Sequence, residues 1–481
     1  MSNLAKESAM NRINALLDEN SFVEIGGLVT ARSTDFNMQD KVAASDGVIT
    51  GYGVIDNSLV YVYSQDASIL GGTVGEMHAK KISRLYDMAV KMGAPVVALV
   101  DCVGLRLEEA ADALNAFGEV YAKQAAASGV VPQITAVFGT CGGGMGVMAS
   151  LSDFTFMAED GKLFVNAPNT LDGNRAEKCD TASAAYQAEV SGMADYTGTE
   201  DEVLAGIRQL VSVLPMNNDD FAEEQCADDL NRVCENLADC VGDTEIALEN
   251  LADAGTFFEI KKAYAKNMVT GFMKLNGITV GAVANRATVY DEEGKAEELG
   301  TALTAEGCEK AADFVNFCDA FNIPVLTLTN ASGFAATVDN EKRIAKAAAK
   351  LTYAYAEATV PKVNVVVGQA MGNAYNVMNS KACNADIVYA WPDAKIGTMD
   401  SDAAVRIIYA EEIKKAEDSV AFINEKKAEY ETLQVSAASA AKRGYVDSII
   451  APEDTRKYVI GAFEMLYTKK EERPAKKHGT V

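Results

Sequence analysis

The chain has 481 residues, about half of them hydrophobic, and sets 69 acidic against 43 basic side chains for a formal net charge of −26. So negative a surface repels phosphate backbones and anionic bilayers, which excludes nucleic acid as an expected partner. The nine cysteines form no C-x-x-C pair, which excludes a zinc ribbon or a thioredoxin-type centre; no metal is expected, and free thiols fit a reducing cytoplasm.

The opening residues, MSNLAKESAMNRINALLDEN, lack the basic-then-apolar layout of a secretion leader, and the chain holds no run of 18 apolar residues, so no membrane span is expected. GVITGYGV and LVYVYSQDA, at 47–54 and 59–67, predict a pair of strands. GGTVGEMHAKK at 71–81 is a glycine-rich loop entering a helix. It lacks P-loop spacing, but with Gly71 and Gly72 it predicts a helix N-terminus near phosphates, with Lys80, Lys81 and Arg84 adding charge. Ile82, Leu85, Tyr86, Ala89 and Met92 then fall at helical spacing. The apolar run Val96–Val100 predicts a buried strand, closed by the turn Val103-Gly104-Leu105. A second helix, a second buried strand and the turn Gly142-Gly143-Gly144 follow. An acidic link from 213 to 245, punctuated by Pro215, predicts a partly helical surface crossover.

The same order then returns. MVTGFMKL and ITVGAVANRA predict a second strand pair, Val325–Leu328 a buried strand, and Ser332-Gly333-Phe334 and Gly372-Asn373-Ala374 the two turns. Pro324, Gly333, Pro361 and Gly372 each lie 229 residues after Pro95, Gly104, Pro132 and Gly143. The helical seam recurs as Ala311, Phe314, Val315, Cys318 and Phe321, and LLDENSFVEI at 16–25 recurs as LADAGTFFEI at 251–260. Four glycine or proline landmarks at one offset predict a duplicated ββα unit, with domains at 1–240 and 241–481. From about Ala410 the composition turns to Lys, Glu and Ala, predicting helices, and the chain closes on the basic KKEERPAKKHGTV.

Small residues in turns let main-chain N–H groups point into a cavity, and two such groups on one oxygen make an oxyanion hole. The turns that could do so are Val103-Gly104-Leu105 and Gly142-Gly143-Gly144 in the first half and Ser332-Gly333-Phe334 and Gly372-Asn373-Ala374 in the second. Only two histidines are present, His78 and His478. One sits at a helix start and the other in the tail, which disfavours a Ser-His-Asp arrangement.

At these residues the sequence resembles the acyl-CoA carboxyltransferase family: propionyl-CoA and acetyl-CoA carboxylase β subunits, the transcarboxylase large subunit, and methylmalonyl-CoA or glutaconyl-CoA decarboxylase α subunits. GGTVGEMHAKKISRLYDMAVKMGAPVVALVDCVGLR is similar to the family's N-terminal core. CDAFNIPVLTLTNASGF, YAYAEATVPK, ADIVYAWP and the closing RGYVDSIIAPEDTRKYVIGAFEML are similar to its C-terminal core. The resemblance implies an α/β fold of tandem crotonase-like (ClpP/crotonase) ββα superhelix domains. It also implies a homo-oligomer, usually a hexamer. It implies that coenzyme A thioester sits on an oxyanion hole at Gly104 and Leu105 plus Gly143 and Gly144, and biotin on one at Gly333 and Phe334 plus Asn373 and Ala374, with Asn376 where acyl selectivity is tuned. Biotin would arrive on a separate carrier protein, since the chain has neither an A-M-K-M attachment motif nor an ATP-grasp segment. Further partners implied are a biotin carboxylase or a membrane decarboxylase subunit, the latter putting the chain at the inner membrane's periphery. The sequence departs from the family at NASGFAAT, at Gly372-Asn373 where Gly-Gly is usual, and at GNRAEKCDTASAAYQ. These departures leave the acyl group open. The alternatives are a biotin-independent crotonase-type enzyme, with Glu108 or Glu109 as its acid, and a non-catalytic subunit of a carboxylase complex.

Overall fold

In a computed structural model of the chain, the described residues are 2–481 apart from 33–35, 37, 42, 222–225, 227 and 291–293. The chain divides into two compact units, Met1–Ala222 and Glu223–Val481. The division precedes the boundary expected at 240 because Cys234 and Leu237 are buried in the second unit's core, against Leu248, Leu251 and Phe463. Among the described residues of the acidic link, a 3-10 turn, Leu237–Cys240, lies between the helices Glu200–Val213 and Thr244–Leu251; residues 222–225 and 227 lie outside the described residues.

Among the described residues each unit is built on one eight-stranded sheet. In the first, an antiparallel pair, Val48–Ile55 and Ser58–Gln65, feeds the parallel strands Val96–Cys102, Gln133–Gly142 and Phe154–Ala158. In the second, Met268–Leu275 and Ile278–Asn285 feed Val325–Ala331, Lys362–Met371 and Ile387–Ala390. Parallel neighbours need a crossover, and helices supply it. Glu76–Met92 and Ala110–Ala127 do so in the first unit, Ala305–Ala320 and Ile344–Glu357 in the second. The helix Glu76–Met92 forms because Ile82, Leu85, Tyr86 and Ala89 share one buried face. Met92, predicted on that seam, is 61% exposed. The helix ends there, and Gly93 caps it in the left-handed region at φ 61°.

The duplication extends to register. Val96 pairs with Gln133 and Val325 with Lys362; Cys102 pairs with Cys141 and Ala331 with Ala370. Both pairs of strands slip register just before these last partners, at Asp101 and Asn330. There the Asp101 carboxylate accepts the Thr140 N–H at 3.1 Å, and the Asn330 amide oxygen accepts the Gln369 N–H at 2.9 Å. Glycine is required opposite: a Cβ on Gly139 would lie 2.1 Å from the Asp101 carboxylate, and one on Gly368 2.4 Å from the Asn330 amide. These paired bulges bend the strand ends that carry the glycine turns.

Candidate active site

In the first unit the turn after Val96–Cys102 runs beside residues 71–74. The Val74 N–H donates to Gly104 O at 2.9 Å and the Arg106 N–H to Val74 O at 3.0 Å. Successive N–H groups of an extended chain face opposite edges, so the Leu105 N–H points away from Val74. The second unit repeats this. Leu303 pairs with Phe334, and the Ala335 N–H donates to Leu303 O at 2.9 Å, which turns the Phe334 N–H outward in the same sense. Gly104 and Gly333 have φ 124° and 146°.

The other turn in each unit opens a short helix, Gly144–Ser150 or Gly372–Val377. Gly143 and Gly372 both have φ 59°, a conformation that favours glycine. Gly143 itself is not a free donor, contrary to the sequence-based expectation: its N–H donates to Phe164 O at 2.9 Å, continuing the strand ladder. The donor on offer is Gly144, whose N–H begins the helix and has no intrahelical acceptor. Asn373 and Ala374, in the first turn of the corresponding helix, are placed likewise. In the first unit the two turns touch. A Cβ on Gly142 would lie 2.9 Å from Val103 O, and one on Gly104 3.1 Å from Gly142 O. In the second, the helix Gly372–Val377 packs against the strand Gly333–Phe334. Each unit therefore brings its two predicted turns together.

A buried ionic cluster holds the first turn. The Arg106 guanidinium is fully buried and donates to Asp46 and, at 2.8 Å, to Glu109; it also donates to Thr73 O at 2.7 Å. The other Glu109 oxygen accepts the Glu76 N–H at 2.6 Å, at the start of the crossover helix. The second unit does the same work with an uncharged residue, since the Asn340 amide oxygen accepts the Ala305 N–H at 2.8 Å and its nitrogen donates to Ala335 O. Glu109 is thus fully engaged and Glu108 pairs with Lys41. Neither is placed as the acid of a biotin-independent enzyme.

His78 belongs to the same cluster. Its Nδ1 lies 2.9 Å from Asp46 O and its Nε2 3.1 Å from Gln65 Nε2. Accepting from Gln65 and donating to Asp46 defines the neutral ring, and burial, reinforced by Arg106, lowers its pKa to about 3. The ring is structural.

Of the predicted phosphate contacts, Lys80 and Arg84 are exposed, whereas Lys81 is not presented to a ligand. Lys81 is buried, with Nζ donating to Ser45 O at 2.9 Å and to Ser45 Oγ and Val48 O. Burial lowers its pKa to about 8. Lys80 pairs with Glu76, whose carboxylate already occupies the helix start. Gly71 and Gly72 serve close packing: a Cβ on Gly72 would lie 2.3 Å from Asp101 O.

In the second unit a cavity of about 570 Å³ opens beside the glycine turn. Its walls include Gly372, Asn373, Tyr375, Asn376, Ile396 and Tyr430. Uncharged amides and aromatic faces fit a neutral, planar, hydrogen-bonding ring. Sequence reasoning missed Arg106, Asp101 and Asn330. The last two, with Gly139 and Gly368, keep the 229-residue offset and were within reach of a longer comparison of the halves. Among the described residues, no cluster of three His, Cys, Asp or Glu side chains stands ready for a metal.

Comparison with known proteins agrees with this architecture. The family model for the carboxyl transferase domain matches residues 3–481. The α subunit of methylmalonyl-CoA decarboxylase from Propionigenium modestum is 40% identical over 99% of this chain and 93% of its own length. The propionyl-CoA carboxylase β chain of Roseobacter denitrificans is 41% identical over 99% and 94%. A crystal structure of transcarboxylase 12S, a hexamer assembly with methylmalonyl-coenzyme A and methylmalonic acid bound, superposes with a TM-score of 0.92. It is 36% identical and covers 98% of this chain and 91% of the other. The crotonase-like reading of the fold stands, and the chain belongs to the carboxyl transferase family.

Proposed function

We propose that this chain moves a carboxyl group between a short-chain acyl-CoA of the methylmalonyl/propionyl type and biotin delivered on a separate carrier protein. The observation that carries the reading is the duplicated pair of turns, each presenting main-chain N–H groups at the mouth of its own unit. In the first unit Leu105 and Gly144 are the donors, and the oxygen they would hold is that of a thioester whose α-carbon has become an enolate. Preorganised donors of this kind lower a barrier by stabilising charge that develops during reaction. In the second unit Phe334, Asn373 and Ala374 are the donors for the ureido oxygen of biotin, with Asn376 on the wall. When bound, biotin supplies a nitrogen that carries the one-carbon group; the chain's own residues orient that ring and polarise its carbonyl.

The reaction is reversible, so partners set its direction. Relatives of both kinds support the reading equally: decarboxylase α subunits, which would dock on a membrane subunit, and carboxylase β chains, which would work with an ATP-using biotin carboxylase. In either role the chain is proposed to act as a hexamer in the cytoplasm, and in the decarboxylase role at the periphery of the inner membrane. The engagement of Glu109 weighs against a biotin-independent acid–base enzyme. The two intact turns weigh against a purely structural subunit.

The test mixes the full chain with biotinamide and malonyl-, methylmalonyl- and glutaconyl-CoA in turn and follows carboxyl transfer to biotinamide. Transfer from methylmalonyl-CoA is the expected result. Turnover that ignores biotinamide, or silence with every thioester, defeats the proposal.

A further inference from the structure

Behind the Gly372 turn lies a knot of polar side chains that touches no part of the proposed site. Thr327 and Thr329 on the strand Val325–Ala331, Tyr355 on the helix Ile344–Glu357, Asn364 on the strand Lys362–Met371, and Asn379 are all fully buried. Polar groups in a core are costly unless they are bonded. Here the bonds converge on the far end of the short helix Gly372–Val377. The Asn364 Nδ2 donates to Met378 O at 3.1 Å and to Asn379 O at 2.9 Å, and its Oδ1 accepts from Thr329 Oγ1 at 2.8 Å. The Asn379 Nδ2 donates to Thr327 Oγ1 at 3.1 Å, which in turn lies 3.0 Å from Tyr355 OH. Asn379 takes a φ of 53°, so the chain turns away there. The Asn364 carboxamide thus satisfies two carbonyls at a helix end. A helix of six residues has little stability of its own, so a bond from outside decides where it lies. The first unit makes the same contact with a different residue. Its helix Gly144–Ser150 is held by Gln124 Nε2, 3.0 Å from Met148 O, and Gln124 comes from the crossover helix Ala110–Ala127. At the strand position that matches Asn364 stands Thr135; Asn364 pairs with Thr327 as Thr135 pairs with Ala98. A buried carboxamide on the far end of the turn-bearing helix therefore recurs, although the position that supplies it does not.

We propose that Asn364 is a positioning residue of the second unit. Through Met378 O and Asn379 O its carboxamide fixes the helix Gly372–Val377, and so aims the N–H groups of Asn373 and Ala374 at the other end. Asn364 itself, fully buried, meets no substrate. Its effect on turnover rests on the proposed function, in which those N–H groups hold the ureido oxygen; its effect on the helix does not.

The test uses Asn364→Thr in the full chain. Threonine removes the carboxamide, suits a strand, and is the residue the first unit carries at this place; Asn364→Ser replaces it if the melting curve of the threonine variant is not cooperative. Hydrogen exchange followed by mass spectrometry is expected to quicken several-fold over residues 372–379 and to stay unchanged over residues 144–150. In carboxyl transfer from methylmalonyl-CoA, KM for biotinamide is expected to rise about tenfold, the scale of one or two hydrogen bonds, while KM for methylmalonyl-CoA holds. Mere loss of folded protein would lower kcat and leave both KM values unmoved. In an Asn373→Pro background Asn364→Thr should add less than it does alone, because both changes act on one donor. Unchanged exchange over residues 372–379 overturns the proposal, as does quickened exchange with an unmoved KM for biotinamide, or full additivity with Asn373→Pro. If the unaltered chain transfers nothing to biotinamide while Asn364→Thr still loosens residues 372–379, the proposed function falls and the tether stands.

Discussion

Asn373 separates what a side chain does from what its main chain does. It lies in the first turn of Gly372–Val377, where proline is tolerated because the N–H has no helical partner. Asn373→Pro should therefore keep the fold and delete one donor, raising the barrier by about 3 kcal/mol and lowering kcat roughly 100-fold. Asn373→Ala keeps the N–H and should stay within a few-fold of the parent. The readout is carboxyl transfer to biotinamide under saturation. His78 gives a second test at this scale. Its folded pKa, about 3, lies below the ordinary histidine value of 6.5. The stability it contributes is complete above pH 6.5 and is lost as pH falls from there through 3. Denaturant unfolding measured between pH 8 and 4 should show this acid-side slope, and His78→Asn should flatten it.

At the scale of elements, what matters is how a strand end is made to stop where it does. Arg106 joins the turn after Val96–Cys102 to the start of Glu76–Met92 through Glu109, and to Asp46. Arg106→Met leaves two buried carboxylates without their cation, which costs roughly 3–5 kcal/mol. A matching drop in unfolding free energy should come with lost activity, since the Leu105 N–H loses its scaffold. The elements themselves were legible because their cause is local. Alternating and continuous apolar runs mark the strands, a seam at helical spacing marks the crossover helix, and glycines mark the turns. The donor set was less legible. Glycine spacing pointed to Gly143, but only the ladder bond to Phe164 O shows that Gly144 is the group left over. Lys80 and Lys81 read as twin cations, yet the roughly 100° between neighbouring helix positions buries Lys81 and leaves Lys80 exposed. Ion pairs such as Arg106–Asp46 join residues 60 apart in sequence, a separation at which no local pattern speaks.

At the scale of the whole molecule, the proposed function has two copies of one unit divide a reaction into halves. The division predicts separable defects. Gly104→Ala places a Cβ 3.1 Å from Gly142 O at a φ of 124° that only glycine accepts comfortably. It should weaken binding of methylmalonyl-CoA while leaving binding of biotinamide unchanged. Asn373→Pro should do the reverse, and calorimetric titration of each variant with each ligand reads both. Both ligands weakened in each variant, or in neither, would mean that the units do not act as distinct half-sites.

The bulges at Asp101 and Asn330, with their facing glycines, steer only the path of the main chain. On the proposed function the side chain of Asn373, on the cavity wall, takes no part in bond-making. Substitutions at Asn373 should recolour the wall without disturbing the chemistry, whereas Ala374 is fully buried and has no such room. One ancestral scaffold of this design can be re-addressed to a new substrate by single codon changes, a mode of evolvability denied to enzymes whose catalytic groups and selectivity filters are the same atoms.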